Sequence, residues 1–184
     1  MRPLGILALL ILTGCLKMPD PLPVLGEVPP FALTSEANQP FGRESLDGKV
    51  WVADFIFTSC SGPCPRLSKL MHQVQQSITG IPDVRLISFT VDPKRDDPAA
   101  LAEYAKRYSA QPERWHFLTG PPETLNRLTL TDFKLGSVDG SMIHSTRFVL
   151  LDRHSRIRGY YGTQDEDPVK QLVRDIKLVL AEKS

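Results

Sequence analysis

The stretch KVWVADFIFTSCSGPCP, residues 49 to 65, constrains the fold of this chain more than any other. Its first nine residues form an almost continuous apolar run, as expected of a strand buried on both faces of an α/β sheet. Cys60 and Cys64 follow, with Gly62 and Pro63 between them and Pro65 just after. Beyond them Leu67, Leu70, Met71, Val74 and Ile78 recur at helical spacing. A central strand therefore delivers two cysteines to the start of a helix. That corner is where open α/β sheets place their ligands.

The rest of the chain alternates in the same way. VRLISFTVD (84–92) reads as a second buried strand, and Asp97 with Pro98 as an N-cap and first helical position. RWHFLTG reads as a strand and PPETLNRLT as a short helix. IHSTRFVLLD and RIRGYYG are two strands joined at RHS, and Asp167-Pro168 opens a last helix striped by Val169, Leu172, Val173, Ile176 and Leu180. Helix-linked strands, a hairpin and a closing helix predict an α/β thioredoxin-like fold with a central mixed sheet flanked by helices.

The chemistry open to the cysteines depends on compartment. MRPLGILALLILTGC gives a positive start and an apolar run from Leu4 to Leu12, too short for a bilayer span and suited to a signal-peptide core. The run ends Leu-Thr-Gly-Cys, like the lipobox of bacterial lipoproteins, with Cys15 as the lipidated mature N-terminus; an ordinary secretory signal with a stray cysteine, or an uncleaved anchor, is the competing reading. Residues 1–14 are then a signal peptide, 15–30 a Pro-rich linker carrying the lipid, and 31–184 one domain. The expectation is an exported lipoprotein anchored to a membrane and facing the periplasm or cell exterior. A net charge of +1 offers no case for nucleic-acid binding.

With Cys15 lipidated, Cys60 and Cys64 are left to each other in an oxidising setting. The helix start favours their thiolates. Three uses compete: a structural disulfide, a redox-active pair, and a copper site. So small a ring contributes only about 2 kcal/mol as a staple. Two thiolates suit Cu(I), and a nitrogen ligand would extend the set to Cu(II). Among the histidines, His72 reads as a solvated helix residue, His116 as a half-buried strand residue and His154 as part of a turn. His144 lies in GSMIHSTRFVL, at the entrance to the hairpin, which in a thioredoxin-type sheet lies beside the cysteine corner. Asp92 and Asp96 form an acidic pair after the second strand. Asp92 either starts a turn or orients an imidazole at the site. Asp97 reads as a plain helix cap.

The segments GKVWVADFIFTSCSGPCP, VDPKRDDP and HSTRFVLLD, in that order, resemble the Sco (SenC) family of copper-binding proteins that assemble cytochrome c oxidase. The resemblance implies that Cys60, Cys64 and His144 are copper ligands. It implies a metallochaperone whose partner is the copper-bearing oxidase subunit, with other copper chaperones or thiol reductants as further partners. A thioredoxin-like thiol–disulfide oxidoreductase acting on exported proteins is the alternative. No proline stands just before the STRFVL strand, where such oxidoreductases usually carry one, and this favours copper.

Overall fold

The structure, a computed structural model, describes residues 20–135 and 146–182. Its strands are β1 (Gly26–Glu27), β2 (Ala32–Ser35), β3 (Pro40–Gly42), β4 (Val50–Ile56), β5 (Val84–Thr90), β6 (Trp115–Thr119), β7 (Arg147–Leu151) and β8 (Arg156–Gly162). Its helices are α1 (Cys64–Ser77), α2 (Pro98–Arg107), α3 (Pro122–Arg127) and α4 (Pro168–Ala181). The strands form one mixed sheet in the order β1-β8-β7-β4-β5-β6-β2-β3. β4, β5 and β6 run parallel, and β7 closes antiparallel on β4. This is the thioredoxin-like arrangement expected from the strand and helix order.

Every residue of β4 is buried, because both of its faces are covered. Val50, Val52 and Ile56 face the layer made by α1, α2 and α4, with Leu67, Met71, Leu101, Leu172 and Ile176. Trp51, Ala53 and Phe55 face the other side, against Phe31, Phe89, Leu125 and Phe133. The continuous apolar run thus records a strand with no solvent face. Asp97 caps α2 as predicted, its Oδ1 accepting the Ala100 N–H at 2.8 Å, with Pro98 at the first helical position.

Three elements were not read from the sequence. β3 pairs with β2, and a tight helical turn, Arg43–Leu46, follows it. β1 lies inside the Pro-rich segment and pairs with β8. That segment is tied to the domain from Leu22 onward: the carbonyls of Leu22 and Pro23 accept hydrogen bonds from the Arg158 guanidinium, which also pairs with Asp152 and Glu182. Val28 is fully buried.

Candidate functional site

α1 begins at Cys64 itself, so the cysteine pair stands at the helix start as the sequence implied. Cys64 stands on the same stripe as Leu67, Ser68, Met71, Val74 and Gln75, all buried. Its thiol is therefore turned into the layer beneath the helix and is 1% exposed. Cys60, four residues earlier in the loop, is half-buried and free, as is Cys64. The two thiols influence each other electrostatically, Cys60 making Cys64 harder to ionise. Cys60 is the more accessible of the two.

The expected preference for thiolate does not hold at Cys64. Burial first, then the neighbouring Cys60, pushes its thiol up to about 12; a backbone hydrogen bond at Phe57 pulls the other way. The helix start is a weak anion site here for a local reason. Pro63 at the N-cap and Pro65 in the first turn have no N–H to offer. Desolvation then dominates. Deprotonation of Cys64 needs something that repays it, such as a bound cation.

The loop that carries Cys60 is clamped by Asp96. This fully buried carboxylate accepts the Thr58 N–H at 3.0 Å, the Thr58 hydroxyl at 2.6 Å and the Thr90 hydroxyl at 2.6 Å. The Thr90 hydroxyl in turn accepts the Asp92 N–H at 3.0 Å. The carboxylate of Asp92 itself pairs with exposed Arg95 at 2.6 Å. Of the acidic pair, the member that grips the cysteine loop is Asp96. Sequence reading singled out Asp92. A small acid after a strand and before a capped helix signals a turn, and nothing local shows that it reaches back to Thr58, 38 residues away.

His144 and Cys15 lie outside the described residues. The chain is described again from Thr146, whose carbonyl accepts the Thr163 N–H at 2.8 Å. The Thr163 carbonyl accepts Nη2 of Arg66 at 2.9 Å, and Arg66 sits two residues after Cys64. Among the described residues no group of three or more His, Cys, Asp or Glu side chains is placed to hold a metal. His116 is half-buried, 3.4 Å from Glu36 and packed on Phe41. His154 is in the β7–β8 turn and exposed. His72 is half-buried rather than solvated, with Nδ1 closed off from water and unpartnered, because α1 packs over more than its apolar stripe.

One further residue was missed. Asp54, in the middle of the apolar run, is fully buried on the α1 side of β4, and neither of its oxygens has a hydrogen bond of normal geometry. Burial pushes its carboxyl up to about 7, with the Ser88 hydroxyl opposite it in the β4–β5 register pulling the other way. Its charge is felt at Cys64, whose deprotonation it opposes. A charged residue inside a run read as a fully buried strand was the available signal.

Residues 23–181 match the family model described as SCO1/SenC. The SCO1/SenC family lipoprotein from Bacillus anthracis str. Ames is similar in structure, with a TM-score of 0.76 and 31% identity, covering 84% of this chain and 95% of that one. BsSco, described as a member of the Sco family of cytochrome c oxidase assembly proteins with a disulfide switch, aligns with a TM-score of 0.78 at 31% identity over 89% of this chain and 100% of that one. Bradyrhizobium japonicum ScoI, with copper bound, aligns with a TM-score of 0.68 at 25% identity over 84% of this chain and 99% of that one.

Proposed function

The chain belongs to the SCO1/SenC family, and from that premise we propose that it is a copper metallochaperone contributing to the dinuclear copper site of cytochrome c oxidase. The observation that carries this reading is the pair of free thiols at the β4–α1 corner, one half-open and one buried. Two soft sulfurs at one corner fit Cu(I). Copper is here the cargo. The positive ion also offsets the desolvation that otherwise keeps Cys64 protonated.

His144 supplies the third ligand. Its support is the hydrogen-bonded chain from Thr146 through Thr163 to Arg66, which fixes the start of β7 beside the first turn of α1. An imidazole added to two thiolates extends the site to Cu(II). Asp92 is proposed as an outer partner that steadies the imidazole, its carboxylate already shared with Arg95. Cys15 carries the lipid, after removal of residues 1–14, and the Pro-rich segment connects it to the domain, which takes in that segment from Leu22 onward rather than beginning at 31. The protein is then exported and held on a membrane, facing the compartment in which the oxidase subunit exposes its copper site. Among the described residues no helix is long and apolar enough to cross a membrane.

The second reading, thiol–disulfide exchange on exported cysteines, has its own support. A half-exposed free Cys60 four residues before a buried free Cys64 also suits a dithiol that opens and closes a disulfide.

Paired copper titrations of wild type and His144→Ala separate the two. On the chaperone reading, Cys60 and Cys64 hold one Cu(I) with or without the imidazole. Cu(II) affinity falls at least tenfold in the variant, and its sulfur-to-copper absorption changes. Unchanged Cu(II) affinity and spectrum remove His144 from the ligand set and put the exchange reading ahead.

A further inference from the structure

The exposed charge of α1 and α4 is all of one sign. α1 contains no acidic residue, and Arg66 and Lys69 stand on its exposed side with Gln73, Gln76 and Ser77. α4 contains one acid, Asp175, which is buried and held by the Tyr161 hydroxyl at 2.8 Å and by Arg174. Its exposed charges are Lys170, Arg174 and Lys177. The helices pack against each other, and a groove between them is lined by Gln73, Gln76, Lys170, Arg174 and Lys177. Arg66 and Lys69 lie on the same stripe of α1 as Gln73 and Gln76. Five cations therefore share one outer face, in a chain whose net charge is only +1. Helix stability does not account for them. Arg66 and Lys170 are each the third residue of a helix, where the dipole disfavours a cation. Among the described residues, Arg174 alone of the five is in an ion pair.

The chain enters the domain beside the same face. Leu22 packs against the core cluster beneath the helices, as do Val169, Val173 and Leu180. Its carbonyl accepts Nη2 of Arg158, whose guanidinium pairs with Glu182 just past the C-terminal end of α4. Seven residues separate Cys15 from Leu22, a reach of at most about 25 Å. α4, with its 14 residues, is itself about 21 Å long. A lipid on Cys15 thus keeps headgroups within little more than one helix length of the end of α4. Two of the three large hydrophobic side chains exposed among the described residues, Val24 and Leu25, lie just beyond Leu22, so the tether end also offers apolar contact to an interface.

We propose that the α1–α4 face is a membrane-docking surface that lies against anionic lipid headgroups, with the lipid on Cys15 and the five cations as two parts of one attachment. The inference rests on the reading of Cys15 as the lipidated residue. The anchor confines the domain near the surface, and cations within a Debye length of anionic headgroups then add to the attraction. The acids nearest this face are Asp165, Glu166 and Asp167, exposed in the turn before α4. Asp165 accepts the Gly162 N–H, and Asp167 caps α4. The bond from Arg66 to the Thr163 carbonyl ties that turn to the start of α1, so the acidic end is also the cysteine end. Repelled by the headgroups, it is raised while the tether end is drawn down. Cys60 and Cys64 are then held clear of the lipid, where a membrane-bound partner can present its copper site.

The lipidated full chain, reconstituted in vesicles of phosphatidylcholine alone or with about 30% phosphatidylglycerol, tests this through the rate at which an amine-reactive reagent modifies each lysine. Lys69, Lys170 and Lys177 should react about threefold more slowly on the anionic vesicles, and about 0.5 M salt should restore their rates. Lys94 and Lys106, exposed elsewhere on the domain, should react alike on both. The double substitution Lys170→Glu, Lys177→Glu should abolish the protection of Lys69 and leave Cu(I) affinity unchanged. Equal rates on the two vesicles overturn the proposal, as does protection that survives high salt. Protection in isolated cell membranes but not on anionic vesicles gives the face to an acidic protein and also overturns it. Lipidation is read separately, from the mass of the N-terminal peptide. If Cys15 carries no acyl chain, that reading fails alone, and the same protein added to the vesicles from solution decides. Sedimentation with anionic vesicles that the double substitution weakens about tenfold supports the docking face. Sedimentation that the substitution leaves unchanged, or none at all, overturns it.

Discussion

Asp54 is a carboxylate that folding removes from water without giving it a partner, and the consequence for stability has a definite sign. Its pKa rises from 3.8 in the open chain to about 7 in the fold. The folded state therefore holds the proton more tightly, so Asp54 is harmless below about pH 4 and increasingly destabilising as pH rises to about 7. The full cost above that range is about 4 kcal/mol. Asp54→Asn should raise the unfolding free energy by about that amount at pH 8 and by little at pH 4. Urea unfolding of both proteins across pH 4–8 checks this; a variant no more stable at pH 8 means the carboxylate has a partner in solution. Asp96 is the opposite case, a buried carboxylate with three donors. Asp96→Ala strands those donors and should cost about 3 kcal/mol. It should also weaken Cu(I) binding although both cysteines remain, because the Thr58 anchor of their loop is gone. Unaltered Cu(I) affinity in a folded Asp96→Ala protein would mean the loop holds its own shape. Neither role was legible in the sequence. Both acids were visible there, but burial and partnership are set by residues 34 and 38 positions away, Ser88 for Asp54 and Thr58 for Asp96.

The helices show how closely local signals and function can lie without overlapping. Asp97 and Pro98 start α2 by rules that need only neighbouring residues. Asp97→Ala should cost about 1 kcal/mol, since it frees the Ala100 N–H, and should leave copper affinity unchanged. Together with Asp96→Ala this separates a cap from a clamp at adjacent positions, by thermal melting and Cu(I) titration on the same two proteins. In α1 the apolar periodicity was visible, but the placement of Cys64 on that stripe was the informative part. A cysteine in phase with Leu67, Met71 and Val74 is an inward-facing residue. The helix-start argument for a thiolate looked only at the backbone. The two prolines and the burial of Cys64 outweigh it.

At the scale of the molecule, the Pro-rich segment is both leash and wall. Leu22 and Pro23 supply carbonyls to buried Arg158, and β1 completes one edge of the sheet. A protein beginning at Asp20 should melt like the longer soluble form. One beginning at Val28 loses β1 and the two carbonyl partners of Arg158 and should be about 2–3 kcal/mol less stable, because a buried cation loses hydrogen bonds. Equal melting of the two would show that the edge strand adds nothing. What the sequence alone determined is whatever depends on near neighbours: buried strands from predominantly apolar runs, helices from their spacing and caps, and the cysteines at the corner where β4 meets α1. Those signals, in order, were enough for the thioredoxin-like sheet. Only the tertiary structure decided the fate of the polar residues within it. Asp96 was matched with the cysteine loop, Asp54 was left unpaired on the α1 side of β4, and Arg158 was closed over by the Pro-rich segment. The physical reason is that periodicity reports which way a side chain points, whereas the energy of a buried charge depends on what the rest of the chain brings against it.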